Sequence, residues 1–269
     1  MHAFTKYGRP LLVPVVTLVA VLALWQAVTA SGFFRPDQFP TMTDTLAALR
    51  TALGTETLWT AVGATLEGWA IGLTIAAVLA VVIGSALGFS DVAFRSAASV
   101  IEVFKAIPAI AILPLVILVL GSTLEMKVFL IAFGAFWPLV VQVVYGVRAM
   151  DPTVADTARV LGVRGVRRFA TVTLPSASPY AATGLRIASA SALILAVVAE
   201  LVGGADGIGR SILFARNAGV TAYPTMYAYI LVAGLLGIVM TGAFFLVEKK
   251  AMHWHESQRN SRNNELGAR

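Results

Sequence analysis

LWTAVGATLEGWAIGLTIAAVLAVVIGSALGF, residues 58–89, carries one charged side chain, Glu67, and is otherwise apolar, small or hydroxylated. A helix that crosses a bilayer needs about 20 mostly apolar residues. This run exceeds that length, so it reads as a membrane span too long for one straight crossing, with its core near Gly68 to Gly88. The whole chain supports the reading. Of its 269 residues 58% are hydrophobic and 13% charged, where a soluble domain would carry about 25% charged residues. The mean hydropathy is +0.82. Lipid is therefore the expected solvent for most of the surface. The net charge is +6, and the basic residues flank apolar stretches, which points to membrane topology rather than to nucleic acid. There is no cysteine, which excludes disulfides, iron–sulfur clusters and thiolate zinc sites.

Working outward, residues 11–30 form an apolar run behind Lys6 and Arg9. It is longer than a signal-peptide core and no small-x-small cleavage site follows, so an uncleaved helix is expected. Residues 31–57 are mixed and read as an external segment with a short amphipathic helix around 44–53. Further spans are expected at 99–120, with Pro108 and Pro114 inside, and at 128–147, with Pro138. Proline kinks a membrane helix and frees backbone carbonyls. A basic stretch from 148 to 182 separates these from spans at 185–202 and 227–247. The expected fold is all-α: a polytopic membrane protein with a 1–10 N-terminus, a six-span domain over 11–247 and a polar tail over 248–269.

Six spans put both termini on one side. That side would hold Lys6, Arg9, Arg95, Lys105, Arg148, Arg159, Arg164, Arg167, Arg168, Arg186, Lys249, Lys250, Arg259, Arg262 and Arg269. The other would hold Arg35, Arg50, Lys127, Arg210 and Arg216. The positive-inside rule places the termini and the 148–182 loop in the cytoplasm.

The loop begins DPTVADTARVLGVRGVRRFATVTLPSASPYAATGLRIA, residues 151–188. Asp151 is a good N-cap and Pro152 suits the first helical position. A helix over 152–161 would put Val154, Ala158 and Leu161 on one face, and Gly162 would end it in a left-handed conformation. A second short basic helix is expected next, terminated by Leu174–Pro175. An apolar face of this kind either docks in a partner's groove or lies on lipid headgroups with its arginines on anionic lipid. Physical chemistry alone leaves both open.

Other features weigh against catalysis. There is no GxxxxGK[ST] phosphate loop, and the glycines from Gly203 to Gly209 lack the GxGxxG spacing, so they read as an external turn. His253 and His255, two apart, do not share a helix face. Charged residues within or near spans are costly; here they are Glu67, Glu102, Lys105 and Glu200. Glu102 and Lys105 are spaced to pair on one helical face. With Gln142, Tyr145, Ser189, Ser191 and Glu200 they are the candidates for a pathway or gate. The small residues at 188–192 suit close helix contact, as at a subunit seam.

The loop resembles the signature of ABC-importer permeases: Glu-Ala-Ala, three residues, glycine, nine residues, an aliphatic residue, one residue, Leu-Pro. Asp156, Thr157 and Ala158 stand at the Glu-Ala-Ala positions, Gly162 at the glycine, Val172 at the aliphatic residue, and Leu174–Pro175 at the end. Asp156 and Thr157 depart from the usual letters. The stretches at 107–121, 136–152, 199–217 and 37–49 are similar to the nitrate/sulfonate/taurine-type subgroup. The resemblance implies that the loop is a coupling helix seated on a cytoplasmic ATPase subunit. It also implies a homodimer of two permease copies, two ATPase subunits that carry ATP and Mg, and an extracytoplasmic solute-binding protein. The setting would be a bacterial inner membrane, and the chain itself would bind no cofactor. The cargo implied is a small anion such as nitrate, a sulfonate or taurine. The alternative, an ion-coupled secondary transporter, would need mid-membrane carboxylates and an internal repeat. An intramembrane enzyme would need a catalytic cluster within the spans.

Overall fold

The structure, a computed structural model, describes residues 4–35 and 38–251. The end of the tail, with His253 and His255, lies outside the described residues, as do His2 and Asp37. Among the described residues helix is the only regular structure. Helix α1 is Phe4–Ala30, α2 Met42–Leu53 and α3 Glu56–Phe89. Then come α4, Asp91–Ala106, a 3-10 turn at Ala109–Ile112, α5, Leu113–Leu120, and α6, Leu124–Arg148. The loop holds α7, Pro152–Val160, α8, Gly165–Arg168, and a π-helical turn at Phe169–Thr173. Helices α9, Leu174–Gly203, α10, Ile208–Asn217, and α11, Tyr223–Ala251, follow. Thr41, Thr55, Ser90 and Thr123 cap α2, α3, α4 and α6 by accepting from backbone N–H groups.

The core is α3 against α6 against α9. Small residues recur every fourth position on α3: Gly68, Gly72, Ala76, Ala80, Gly84 and Gly88. All share one face, because four residues is close to one turn. Gly68 meets Lys127, Gly72 meets Ile131, Gly84 meets Val143 and Gly88 meets Val147, at a constant offset along the two chains. The two helices therefore run parallel and in register. A Cβ at Gly72 would lie 2.6 Å from Ile131, and one at Gly84 2.9 Å from Val143. Without a hydrophobic driving force between helices in lipid, backbone approach of this kind is what maximises dispersion contact. Helix α9 runs antiparallel to α6, since Gly184 lies on Gln142 and Gly203 on Met126. Ala188, Ala192 and Ala196 are fully buried in this same core. Within the run at 188–192, Ala188, Ser189 and Ala192 thus pack inside the protomer, while Ala190 is exposed.

One end of the bundle is closed by a buried ion pair. Lys127 is 2% exposed and Glu200 0%. The Lys127 ammonium donates to Glu200 Oε1 at 3.1 Å, to the carbonyl of Ala64 at 2.8 Å and to that of Asp206 at 2.7 Å. All three donors of an ammonium are used. Glu200 Oε2 lies 3.0 Å from the Thr65 hydroxyl and accepts from Gly209 N–H at 3.0 Å, while Ile208 N–H donates to Thr65 Oγ1. The network ties α3, α6 and α9 to the start of α10. Gly204, at φ +78, and Gly207, at φ +150, turn the chain between α9 and α10. A Cβ at Gly207 would collide with the Glu200 carboxylate.

The structure revises several expectations. Among the described residues, four helices are long and apolar enough to cross a membrane, and a fifth crossing arises if α4 and the Ala109–Leu120 segment count as one span. That pair is bent by 77°, so the expected 99–120 span is two pieces. Pro108 is the reason: it forces Ile107 into an extended conformation, φ −71 and ψ 118, where no helix can continue. Leu174–Pro175 does not end a helix. It starts α9, which takes in residues 174–182 of the stretch read as loop. The π turn before it widens the backbone, with Leu174 N–H bonded to the carbonyl of Phe169, and so seats the ring of Pro175 that an α-helix interior would reject.

Gly84→Leu should separate α3 from α6 and destabilise the protein by about 1–3 kcal/mol, the cost of overpacking. Gly63→Ala, where nothing lies within 4 Å, should leave thermal unfolding in detergent unchanged. Removing one partner of the ion pair, in Glu200→Gln or Lys127→Met, should cost about 3–5 kcal/mol. The double variant should melt closer to the native chain than the sum of the two singles; strictly additive melting shifts would contradict the coupling.

Candidate functional site

Two regions carry the candidate residues, the loop between α6 and α9 and the polar side of α4. They meet at the end of the bundle opposite the ion pair. Arg148, the last residue of α6, pairs with Asp91, the first of α4, at 2.6 Å and lies over the Phe94 ring. Phe89 at the end of α3 meets Phe169 of the loop. Arg186 of α9 pairs with Glu248 near the end of α11 at 3.1 Å. Arg95, Arg148, Arg159, Arg164, Arg167, Arg168, Arg186, Lys249 and Lys250 therefore collect at one end.

In the loop, Asp151 caps α7 by accepting from Thr153 N–H at 2.7 Å, and Pro152 follows at the first helical position. The helix closes in a complete Schellman motif: Val163 N–H bonds the carbonyl of Ala158 at 2.9 Å and Gly162 N–H that of Arg159 at 3.1 Å. Gly162 has φ +70, the left-handed value the motif needs. Asp156 pairs with Arg159 at 2.6 Å, and both are exposed. Thr157 donates to the carbonyl of Thr153. Ala158 is buried under the helix, facing the bundle, and Val172 is half-buried. Thr173 is fully buried, while Leu174 and Pro175 are exposed. The apolar residues expected on one face divide. Ala158 faces inward, whereas Val154 and Leu161 are exposed, and Val160 at 87% and Val166 at 84% join them outside. The helical spacing identified α7. It did not say which face the bundle would take, because that depends on the π turn and on α9 behind it.

On α4, Glu102 and Lys105 pair at 2.8 Å and both side chains are exposed. Glu102 and Tyr145 line one cleft between α4 and α6, with Phe94, Ala98, Ile101, Val141 and Val144. Gln142, three residues before Tyr145, packs on Gly184 of α9. Ser189 is buried and its carbonyl accepts from the indole of Trp69 at 3.2 Å. Ser191 donates to the carbonyl of Ile187 at 3.2 Å. Glu200 sits apart from these, fully buried at the opposite end with Lys127. The structure thus brings together Glu102, Lys105 and Tyr145, and separates Ser189, Ser191 and Glu200 from them. Lys127 reads in the sequence as an external charge. The signal that could have found its role is Gly68, a glycine placed where a long side chain from another span must pass.

Residues 72–253 match the family model described as the inner membrane component of binding-protein-dependent transport systems. The chain is 28% identical over 254 residues, 94% of its own length and 90% of the relative's, to SsuC of Bacillus subtilis (strain 168), a permease protein named for aliphatic sulfonates transport. It is 29% identical over 179 residues, 66% of this chain and 63% of the relative, to the nitrate import permease protein NrtB of Leptolyngbya laminosa. Among solved structures, the MetNI methionine ABC transporter in an inward-facing conformation shares the fold, with a TM-score of 0.59 at 19% identity over 73% of this chain and 98% of that one. With the family model covering most of the helical bundle, the chain belongs to the inner-membrane components of binding-protein-dependent transport systems, the permease subunits of ABC importers.

Proposed function

We propose that this permease works as one of two identical copies in an ATP-driven importer, with α7 docked on a cytoplasmic ATPase subunit. The observation that carries this reading is the finished local structure of α7. It is capped at both ends by its own sequence, and it presents Val160 and the capping Leu161 to solvent at the basic end of the bundle, where Val166 of α8 is exposed as well. A short helix with an exposed apolar edge suits groove docking. Asp156, Thr157, Ala158, Gly162, Val172, Leu174 and Pro175 are the coupling residues. Among them Asp156 and Leu174 offer exposed side chains, while Ala158 and Gly162 hold the helix in place. ATP and Mg belong to the partner subunit, which supplies the hydrolysis. A solute-binding protein approaches the end that carries Arg210 and Arg216. The basic end with both termini is cytoplasmic by the positive-inside rule, in a bacterial inner membrane, and α1 completes a six-span domain over 11–247. The cargo is a small anion, by similarity to the sulfonate and nitrate permeases. An ion-coupled secondary transporter is the weaker reading, since family membership and a docking helix point to an ATPase partner.

Gly162→Val places a β-branched side chain at φ +70 and should cost about 1–2 kcal/mol of local geometry. With Leu161→Asp, which leaves the backbone intact, it should insert normally, capture the ATPase subunit poorly from detergent extracts and lose ATP-dependent uptake. Native-level capture by both variants would instead favour a loop that lies on lipid. For topology, a cysteine at Val166 should react with a membrane-impermeant thiol reagent in inverted vesicles and not in intact cells. Labelling from outside the cell would reverse the proposed orientation.

A further inference from the structure

Helix α4 carries a polar stripe that the helical core does not use. Asp91, Arg95, Ser99, Glu102 and Lys105 follow one another at intervals of three or four residues and so share one face. All five are exposed. The side of the helix next to the stripe holds Phe94 and Ile101 against α6, and Phe104 stacks on Trp137 with ring centroids 5.1 Å apart.

The depth of this stripe follows from its anchors. At one end the Asp91–Arg148 pair fixes it to the basic rim. Lys105 lies about 20 Å further along α4. Trp137, beside Phe104, is about 20 Å from the start of α6 and about 17 Å from its end. Just beyond, Ala109 packs on Gly134 of α6, and the chain turns through 77°. Glu102 and Lys105 therefore sit near the middle of a hydrocarbon layer about 30 Å thick. An exposed carboxylate and ammonium at that depth do not face lipid. The stripe runs on from the Asp91–Arg148 pair at the basic end, a polar route by which water enters in the reading below.

We propose that this stripe is the wall of the water-filled inner half of the pathway, and that Lys105 is its charge-selecting residue, receiving a small anion in exchange for Glu102. The inference rests on the permease reading and deepens it. Asp91 is neutralised by Arg148 and Glu102 by Lys105, so the empty stripe keeps the single positive charge of Arg95. An anionic solute entering the stripe competes with Glu102 for the Lys105 ammonium, while a cation is repelled. Glu102 holds the site when no solute is present, which keeps a buried-depth cation partnered through the cycle.

The native chain has no cysteine, which permits a direct test on the assembled transporter. Single cysteines at Ser99, Glu102 and, as a control on the apolar surface of α5, Leu118 (82% exposed) are placed in nucleotide-free complex. Open membrane fragments, with both faces accessible, are treated with the anionic sulfonatoethyl and the cationic trimethylammonioethyl methanethiosulfonates. Ser99→Cys and Glu102→Cys should react with both reagents and Leu118→Cys with neither. The anionic-to-cationic rate ratio at Glu102→Cys should fall about tenfold when Lys105→Gln is added, the effect of one charge at close range on reagents of opposite sign. The ratio cancels any change in thiol reactivity. Silence at both positions, as when the stripe is sealed against a second copy or lipid, overturns the aqueous wall. An unchanged ratio overturns charge selection by Lys105. Capture of the ATPase subunit, measured on the same preparations, reports separately on the permease reading.

Discussion

Lys127 and Glu200 are taken almost wholly out of solvent at one end of a lipid-embedded bundle, and each finds every partner its chemistry requires. A buried ion pair seldom adds net stability over an apolar equivalent, because desolvation offsets the attraction. Its value is in specification. An ammonium with three donors accepts only an arrangement in which the Ala64 carbonyl, the Asp206 carbonyl and the Glu200 carboxylate converge. That requirement fixes the heights of α3, α6 and α9 relative to one another. It also pins the turn into α10 against them. Slipping any helix by one turn would leave a charge unpaired in a place where water does not reach.

The small-residue face of α3 does the complementary work along the rest of the bundle. Glycine and alanine every fourth residue let the α6 backbone approach closely, and the facing Ile131, Val143 and Val147 fill the space that the missing side chains leave. The ion pair sets the register and the seam holds it over the full length of the helices. A rigid body of this kind can carry movement from one end to the other without deforming. Helix α4 is the exception. It is loosely held, broken from α5 at Pro108, and amphipathic in a region where its neighbours are apolar. The elements proposed to meet solute and the ATPase partner, α4 and α7, are thus sparsely buried, holding Ile101 and Ala158 inward, and are mounted on the tightly packed α3, α6 and α9.

Hydropathy settled the fold class, because crossing lipid imposes a length and a composition that one stretch of chain must satisfy by itself. The caps of α7 were legible for the same reason: Asp151, Pro152 and Gly162 act within one turn of their own positions. The pairing of Glu102 with Lys105 was also local, three residues apart on one helix. The family resemblance likewise rested on spacing within one loop.

What the sequence left open was every question of which surfaces meet. Lys127 and Glu200 are separated by several spans, and nothing in either one's neighbourhood names the other. The Ala188–Ala192 run suited any close helix contact, and only the packed bundle showed which of its residues are taken up within the chain: Ala188, Ser189 and Ala192 are buried and Ala190 is exposed. Proline marked a disturbance at Pro108 and at Pro175. Whether each would break a helix, as at Pro108, or be absorbed by a π turn, as at Pro175, depended on the backbone around it. Local sequence determines what a segment can be in lipid; which of its faces is buried, and against what, is set by contacts between segments far apart in the chain, and those exist only once the bundle has closed.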